Sequence, residues 1–293
     1  MIRSAMFYLN KNKAAIFETA LRCVRLCREK GIEPIFFEED REDIGRHLPE
    51  LAGSRFLQQP DHAQVDVMFV FGGDGTMLRA LDLYLNAGIP MLGINLGRLG
   101  FLLETEADEL SEALDRLLSG DYEVERRMML QVEAQCGGQI IRAYATNEVC
   151  ISRGMSQRMI AVDAYAGKVL VDHYIADGLV LASPTGSTAY SLSAGGPIVC
   201  PGVSCFILTP VCPHTIQNRP IVLPPDERVT LRVDMKEMRE GIQLSIDGQA
   251  VCGMRNHDQV VVCRAPHDAL LIRFPKERNF FALLKDKLSQ WSL

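Results

Sequence analysis

The chain of 293 residues is long enough for one large domain or two ordinary ones, and at 47% hydrophobic and 23% charged it has the composition of a protein with a sizeable core. Its net charge of -6 argues against nucleic acid as the main partner, because neutralising phosphates calls for a basic face, while leaving room for a local basic pocket around one anionic ligand. The opening MIRSAMFYLNKNK lacks a signal-peptide core, no run approaches the roughly 18 apolar residues of a membrane span, and nine scattered cysteines without a C-x-x-C pair point to free, mostly buried thiols in a reducing cytoplasm.

The first segments alternate between strand and helix patterns. IRSAMFYL reads as a strand. Ile16, Ala20, Val24 and Cys27 follow at helical spacing, with Gly31 where a cap belongs. IEPIFF predicts a second strand, and residues 41–57 a helix of weak pattern. VDVMFVF is apolar throughout, as in a strand buried on both faces. A helix from Thr76 to Leu85 closed by Gly88, the strand IPMLGIN and the amphipathic ADELSEALDRLLSG complete a β-α-β-α rhythm. That rhythm implies a parallel sheet covered by helices.

Near residue 121 the pattern changes. Strands recur at short spacing with turn signals at Gly137-Gly138, Gly167-Lys168 and Asp247-Gly248, which predicts antiparallel β structure. The tail returns to helical spacing, with Phe280, Leu283, Leu284 and Leu288 as an apolar stripe. The reading is an α/β domain over 1–121, a β-rich, sandwich-like domain over 122–275 and a final helix over 276–293 that packs back on the N-terminal domain.

VMFVFGGDGTMLRA, residues 67–80, carries the sharpest signal. Gly72, Gly73, Asp74, Gly75 and Thr76 follow a buried strand and open a helix, where open α/β sheets place ligands and free N–H groups attract anions. The loop is neither a Walker A motif nor a dinucleotide fingerprint, and its spacing alone leaves open a plain turn with Asp74 helping to cap the helix. An acid beside phosphate makes sense if the loop works on phosphate. Magnesium then screens the repulsion, and the carboxylate takes the proton of the attacking hydroxyl.

GGDGT after a hydrophobic strand resembles the signature of the NAD kinases and, more distantly, of diacylglycerol-type lipid kinases and 6-phosphofructokinases. GINLGRLGFL (93–102), TNEVCISRG (146–154), ADGLVLASPTGSTAYSLSAGGPIV (176–199), LTPVCPHTIQNRPIVLP (208–224) and LSIDGQ (244–249) resemble further NAD kinase segments in the same order. The resemblance implies an N-terminal α/β domain, a β-rich C-terminal domain and substrate between them. It implies ATP, another nucleoside triphosphate or polyphosphate as donor, the 2′-hydroxyl of the adenosine ribose of NAD as acceptor, and NADP as product.

By this resemblance Asp74 is the base or orienting acid, and Gly72, Gly73, Gly75 and Thr76 shape the phosphate loop, with Arg98 a further phosphate candidate. NAD is contacted by Asp74, Gly75, Phe101 on the adenine side, Asn147 and Glu148 at the nucleoside, and Thr185, Ser187, Ala189, Tyr190 and Ser193 in the hydroxyl-rich segment. Asp177 reaches an adenine, in many members across a subunit interface, and Asp247 lies near the nicotinamide half. Magnesium is recruited mainly with the triphosphate, for lack of a carboxylate cage. A homodimer or homotetramer is the family tendency.

Ala176 stands where many members have glycine and Ser183 where many have threonine; Ala176 puts a positive φ there in question. Cys23 with Cys27, Cys212 with His214, and His173 read as structural, Arg126-Arg127 and Arg153 as a solvated face in preference to phosphate contacts, and His214 has no assigned role. A lipid or small-molecule kinase and a non-catalytic dinucleotide sensor remain alternatives at this stage.

Overall fold

The computed structural model describes residues 2–11, 15–97, 100–156, 158–215, 218–234, 241–275 and 280–290. Arg98, the further phosphate candidate, lies outside them. The chain divides into two compact units, Met1–Arg126 with Ala269–Leu293, and Arg127–Asp268.

In the first unit the strands are β1 (Ser4–Leu9), β2 (Glu33–Phe37), β3 (Arg55–Leu57), β4 (Val67–Gly72), β5 (Met91–Asn95), β6 (Thr105–Glu106) and β7 (Glu123–Arg127). They are joined by helices α1 (Ala15–Glu29), α2 (Arg41–His47), α3 (Asp74–Tyr84) and α4 (Leu110–Ser119). The sheet order is β3-β2-β1-β4-β5, then the strand Ala269–Arg273, then β7, with β6 also on β5. β1, β2, β3, β4, β5, β6 and Ala269–Arg273 pair in parallel.

β4 is buried along its whole length because both faces are covered. Val67, Phe69 and Phe71 join Phe7 and Phe36 in a core shared with α1 and α4, while Met68 and Val70 alternate to the other face. The Phe7 ring stacks on Phe71 at 5.4 Å and meets Phe69 edge-on at 5.6 Å. Cys23 and Cys27 are fully buried in this core, in keeping with a structural role.

Three expectations are corrected. Residues 41–57 are not one helix: α2 ends at His47, a single 3-10 turn follows, and β3 begins at Arg55. Pro49 has no N–H to continue α2, although Ile44, Leu48 and Leu51 stand at helical spacing and are buried. The strand Ala269–Arg273, counted with the β-rich region up to 275, belongs to the first sheet, where it pairs with β5. A short apolar run reads the same whichever sheet it enters. The first boundary likewise falls after β7 begins, at Arg126 rather than 121.

The second unit is a sandwich of two antiparallel sheets. Its strands are β8 (Leu130–Cys136), β9 (Gln139–Ala145), β10 (Glu148–Ser152), β11 (Ile160–Ala166), β12 (Val169–Ala176), β13 (Gly178–Ala182), β14 (Phe206–Val211), β15 (Ile221–Leu223), β16 (Val229–Val233), β17 (Ile242–Ile246), β18 (Gln249–Met254) and β19 (Gln259–Arg264). One sheet runs β12-β11-β16-β19-β8-β9 and the other β15-β14-β13-β10-β17-β18. Their inner faces share one core, with Val132, Val162 and Leu231 from the first meeting Ile151, Leu181 and Leu244 from the second.

The thiols of this unit are not all free. Cys136 of β8 and Cys252 of β18 form a disulfide across the two sheets. Their separation of 116 residues hides the pairing from any reading of local spacing. Ala176 is an extended strand residue opposite Ile160 and is absent from the positive-φ positions, so alanine suits it. Among the described residues no helix is long and apolar enough to cross a membrane.

Candidate active site

The sheet of the first unit reverses direction at β1. Chain order runs from β1 outward to β2 and β3, then returns to β4 on the other side of β1. Ligands of open α/β sheets bind outside the carboxyl ends of the strands at such a reversal. Asn10 and the loop Gly73, Asp74, Gly75 stand there, after β1 and β4.

Gly73 is the extended N-cap residue of α3 and Asp74 its first helical residue, so Asp74 does not occupy the capping position considered for it. The Asp74 carboxylate turns to the segment after β5: Oδ2 accepts the Phe101 N–H at 2.9 Å and Oδ1 the Leu102 N–H at 3.1 Å. A Cβ on Gly100 would lie 2.0 Å from Oδ1, so position 100 admits only glycine. Thr76 is buried, and its hydroxyl oxygen accepts the side-chain amide of Asn10 at 3.0 Å and the Gly73 N–H at 3.4 Å. With both lone pairs used, its O–H remains to donate. Gly75 is exposed at the helix start, where first-turn N–H groups lack a carbonyl one turn earlier. The Phe101 ring lies 6.5 Å from Phe280 of the helix Phe280–Gln290.

The second unit gathers three of its predicted segments at one place. Asp247 and Gly248 have φ of 46° and 75° and turn the β17–β18 hairpin. The Asp247 carboxylate accepts N–H groups from Thr146 at 2.8 Å, Asn147 at 2.8 Å and Glu148 at 3.0 Å. The Asn147 carbonyl accepts the Ser183 N–H, and Ser183 Oγ donates to the Thr146 carbonyl while accepting the Gly186 N–H. A Cβ on Gly186 would fall 2.1 Å from the Asn147 carbonyl oxygen, which explains a glycine inside this hydroxyl-rich run.

Glu148 is 5% exposed, and its Oε2 is buried without a hydrogen-bond partner among the described residues. Burial, then the negative charge of Asp247, pushes its pKa up to about 7 against the opposing Tyr190 N–H. Thr185 is buried and its Oγ1 accepts from Arg127 Nη1 at 3.4 Å. Ala189 is half-buried, Tyr190 is 42% exposed and Ser193 is exposed.

Other predicted residues have partners within the protein. Ser187 is fully buried, and its hydroxyl ties Pro184 to Val199, so it braces the loop rather than facing a ligand. Asp177 pairs with Arg153 at 3.0 Å, which gives that arginine a partner in place of the solvated face expected for it. Arg127 is likewise buried, not solvated. His214 donates its backbone N–H to Ile175. Sequence reading missed Asn10 and Arg273, which owe their places to sheet topology rather than to a local motif, and did not single out Gly100 within GINLGRLGFL.

Among the described residues, one group of three metal-capable side chains lies close together: Asp163, His173 and Asp234. Asp163 already holds His173 at 2.6 Å and Arg232 at 2.8 Å, and a guanidinium at that distance competes with any cation. In the loop Gly72–Thr76 Asp74 is the sole carboxylate. That donor set suits a divalent ion carried mostly by phosphate oxygens.

The ATP-NAD kinase N-terminal domain family matches residues 6–122 and the ATP-NAD kinase C-terminal domain family residues 146–274. An NAD kinase of Moorella thermoacetica is 38% identical over 96% of this chain and 88% of its own length. One of Heliobacterium modesticaldum is 45% identical over 78% of this chain and 80% of its own. Among solved structures, an NAD kinase from Archaeoglobus fulgidus in complex with ATP superposes with a TM-score of 0.71 at 25% identity, covering 98% of this chain and 99% of that one. Yeast NADH kinase complexed with NADH shares the fold, with a TM-score of 0.84 at 23% identity over 98% of this chain and 88% of that one. With the GGDGT loop, the Asn-Glu pair and the hydroxyl-rich segment all in place, the chain belongs to the NAD kinase family of phosphotransferases.

Proposed function

We propose that the chain transfers the terminal phosphoryl group of ATP, or of another nucleoside triphosphate or polyphosphate, directly to the 2′-hydroxyl of the adenosine ribose of NAD, giving NADP. The observation that carries this reading is Asp74, fixed at a strand end and helix start by two backbone N–H groups. Each of its oxygens keeps an acceptor position after taking one N–H, so the carboxylate can receive a hydroxyl proton. The ribose oxygen then bonds to the terminal phosphorus as the bond to the bridging oxygen breaks, and the nucleoside diphosphate, or the polyphosphate shortened by one unit, leaves with the electron pair.

The N–H groups at the start of α3 and the Thr76 O–H donate to phosphate oxygens. A divalent cation such as Mg²⁺, brought with the triphosphate, supplies charge neutralisation when bound, with Asp74 as the loop's carboxylate able to share it. In the second unit, the unpartnered Oε2 of Glu148 suits a ribose hydroxyl, beside Asn147 and the 185–193 segment. The reading extends to a homodimer or homotetramer through the β-rich unit. The edge strand β12 exposes Val169 at 70%, Leu170 at 50% and Ile175 at 41%, apolar area that a second copy would cover.

The test is a coupled assay for NADP with purified protein, NAD, Mg²⁺ and either ATP or polyphosphate. Steady NADP formation with at least one donor is expected. NAD binding by calorimetry without NADP from any donor would replace the kinase by a dinucleotide sensor. Sedimentation of the same preparation as a monomer would remove the oligomer from the proposal.

A further inference from the structure

Arg273 ends the strand Ala269–Arg273, far in sequence from the glycine-rich loop. Its guanidinium is largely enclosed, with 18% of the side chain exposed, and spreads over five acceptors. Nε donates to Glu125 at 2.8 Å; Nη1 donates to Glu104 Oε2 at 3.1 Å and to the carbonyls of Leu103 at 3.3 Å and Leu102 at 3.4 Å; Nη2 donates to the Phe101 carbonyl at 3.1 Å. Two carboxylates are enough to neutralise one guanidinium. The carbonyl contacts need another account.

The Phe101 carbonyl and the Leu102 N–H belong to one amide. Arg273 grips its oxygen at 3.1 Å, and Asp74 Oδ1 accepts its hydrogen at 3.1 Å. A cation on the oxygen draws electron density toward it and makes the N–H a stronger donor, so the bonds along the line reinforce one another. The same guanidinium pins the backbone from Phe101 to Leu103, which sets where the two N–H groups that hold Asp74 can be. A lysine has neither the planar fork nor the number of donors to do both.

We propose that Arg273 is a positioning residue for phosphoryl transfer, acting on Asp74 through the peptide that joins Phe101 to Leu102. The proposal rests on Asp74 being the base. Glu125 shares Arg273 but touches neither that peptide nor Asp74, so Glu125→Gln separates anchoring of the arginine from its action on the loop.

The experiment compares the wild type, Asp74→Asn, Arg273→Gln, Arg273→Lys, Glu125→Gln and the double variant Asp74→Asn with Arg273→Gln. Turnover, KM for NAD and for ATP, and melting temperature are measured for each. Arg273→Gln is expected to lower kcat about 10- to 100-fold with both KM values within a few-fold, the scale for a displaced catalytic group. Arg273→Lys recovers part of the loss. Glu125→Gln lowers the melting temperature and leaves kcat near normal.

In the Asp74→Asn background, Arg273→Gln costs nothing further. Losses that multiply in the double variant, with Asp74→Asn itself strongly impaired, would sink the role of Arg273 while leaving Asp74 as base. Normal turnover in Asp74→Asn would sink both. A kcat loss in Glu125→Gln equal to that of Arg273→Gln would reduce the arginine to a fold anchor. If Arg273→Gln does not fold, Arg273→Lys carries the same cycle with Asp74→Asn, and full activity in Arg273→Lys overturns the proposal.

Discussion

Asp74 in the first unit and Asp247 in the second use their carboxylates alike, each gathering N–H groups from a stretch of backbone distant in sequence. Asp74 takes two, one on each oxygen, from the residues after Gly100. Asp247 takes three, two of them on Oδ1, from within the positive-φ turn of a hairpin. A carboxylate has about four acceptor positions. Asp247 spends most of them on its own chain and works as a clasp for residues 146–148. Asp74 is held firmly enough to be placed and keeps capacity on both oxygens. One acid organises a stretch of backbone, and the other, held by backbone, keeps acceptor capacity for the role proposed for it.

The strongest test of that contrast is Asp74→Asn. It keeps the shape of the side chain but removes the proton acceptor, so turnover should fall by about 10²–10⁴-fold while NAD still binds by calorimetry. Near-normal turnover would place Asp74 in the same structural class as Asp247. Gly100→Ala comes next. Its methyl would displace the Asp74 carboxylate, since a Cβ there lies 2.0 Å from Oδ1. A loss in kcat of about 10²-fold is expected, with the fold retained by circular dichroism.

Asp247→Ala should act on stability instead. It strips three N–H groups of a charged acceptor and removes a residue that tolerates positive φ, for a cost of about 2–4 kcal/mol by urea unfolding. A stability change below about 1 kcal/mol would mean the clasp is dispensable.

Glu148→Gln reads the electrostatics of the clasped segment, where Glu148 faces Asp247, Cys150 and the Tyr190 N–H. Folding raises the Glu148 pKa from 4.5 to about 7, so between those values the folded chain keeps a proton that the unfolded chain has lost. This group's contribution to stability is therefore present below about pH 4.5 and is lost as pH rises to about 7, by up to about 3 kcal/mol. The glutamine variant should show a flatter melting temperature from pH 5 to pH 8 and be the more stable protein at pH 8. An unchanged slope would refute the buried charge.

What the sequence disclosed follows the range of its signals. β4 and its loop were readable because a buried strand, glycines and a helix start are local and adjoining. The Asp247-Gly248 turn was readable for the same reason. Yet the carboxylate of that turn, assigned to a ligand by resemblance, is occupied by Thr146, Asn147 and Glu148, about a hundred residues away along the chain. Ser187, chosen as a contact residue from its motif, is fully buried and holds the loop together, because a hydroxyl beside a glycine turn looks the same whether it faces inward or outward. Gly100 could be seen only once Asp74 had a direction, and Arg273 only once its strand had a sheet. The Cys136–Cys252 link likewise needed both sheets in place.

The seating of the strand Ala269–Arg273 beside β5 also fixes an order of events in time. A growing polypeptide emerges from the ribosome N-terminus first, so the glycine-rich loop is born early, and every residue of the sandwich must follow before that strand can close the parallel sheet. A chain interrupted anywhere in the sandwich would carry the loop but lack the guanidinium behind it. Until translation has passed residue 273, the nascent chain holds its glycine-rich loop on a sheet that still lacks one strand.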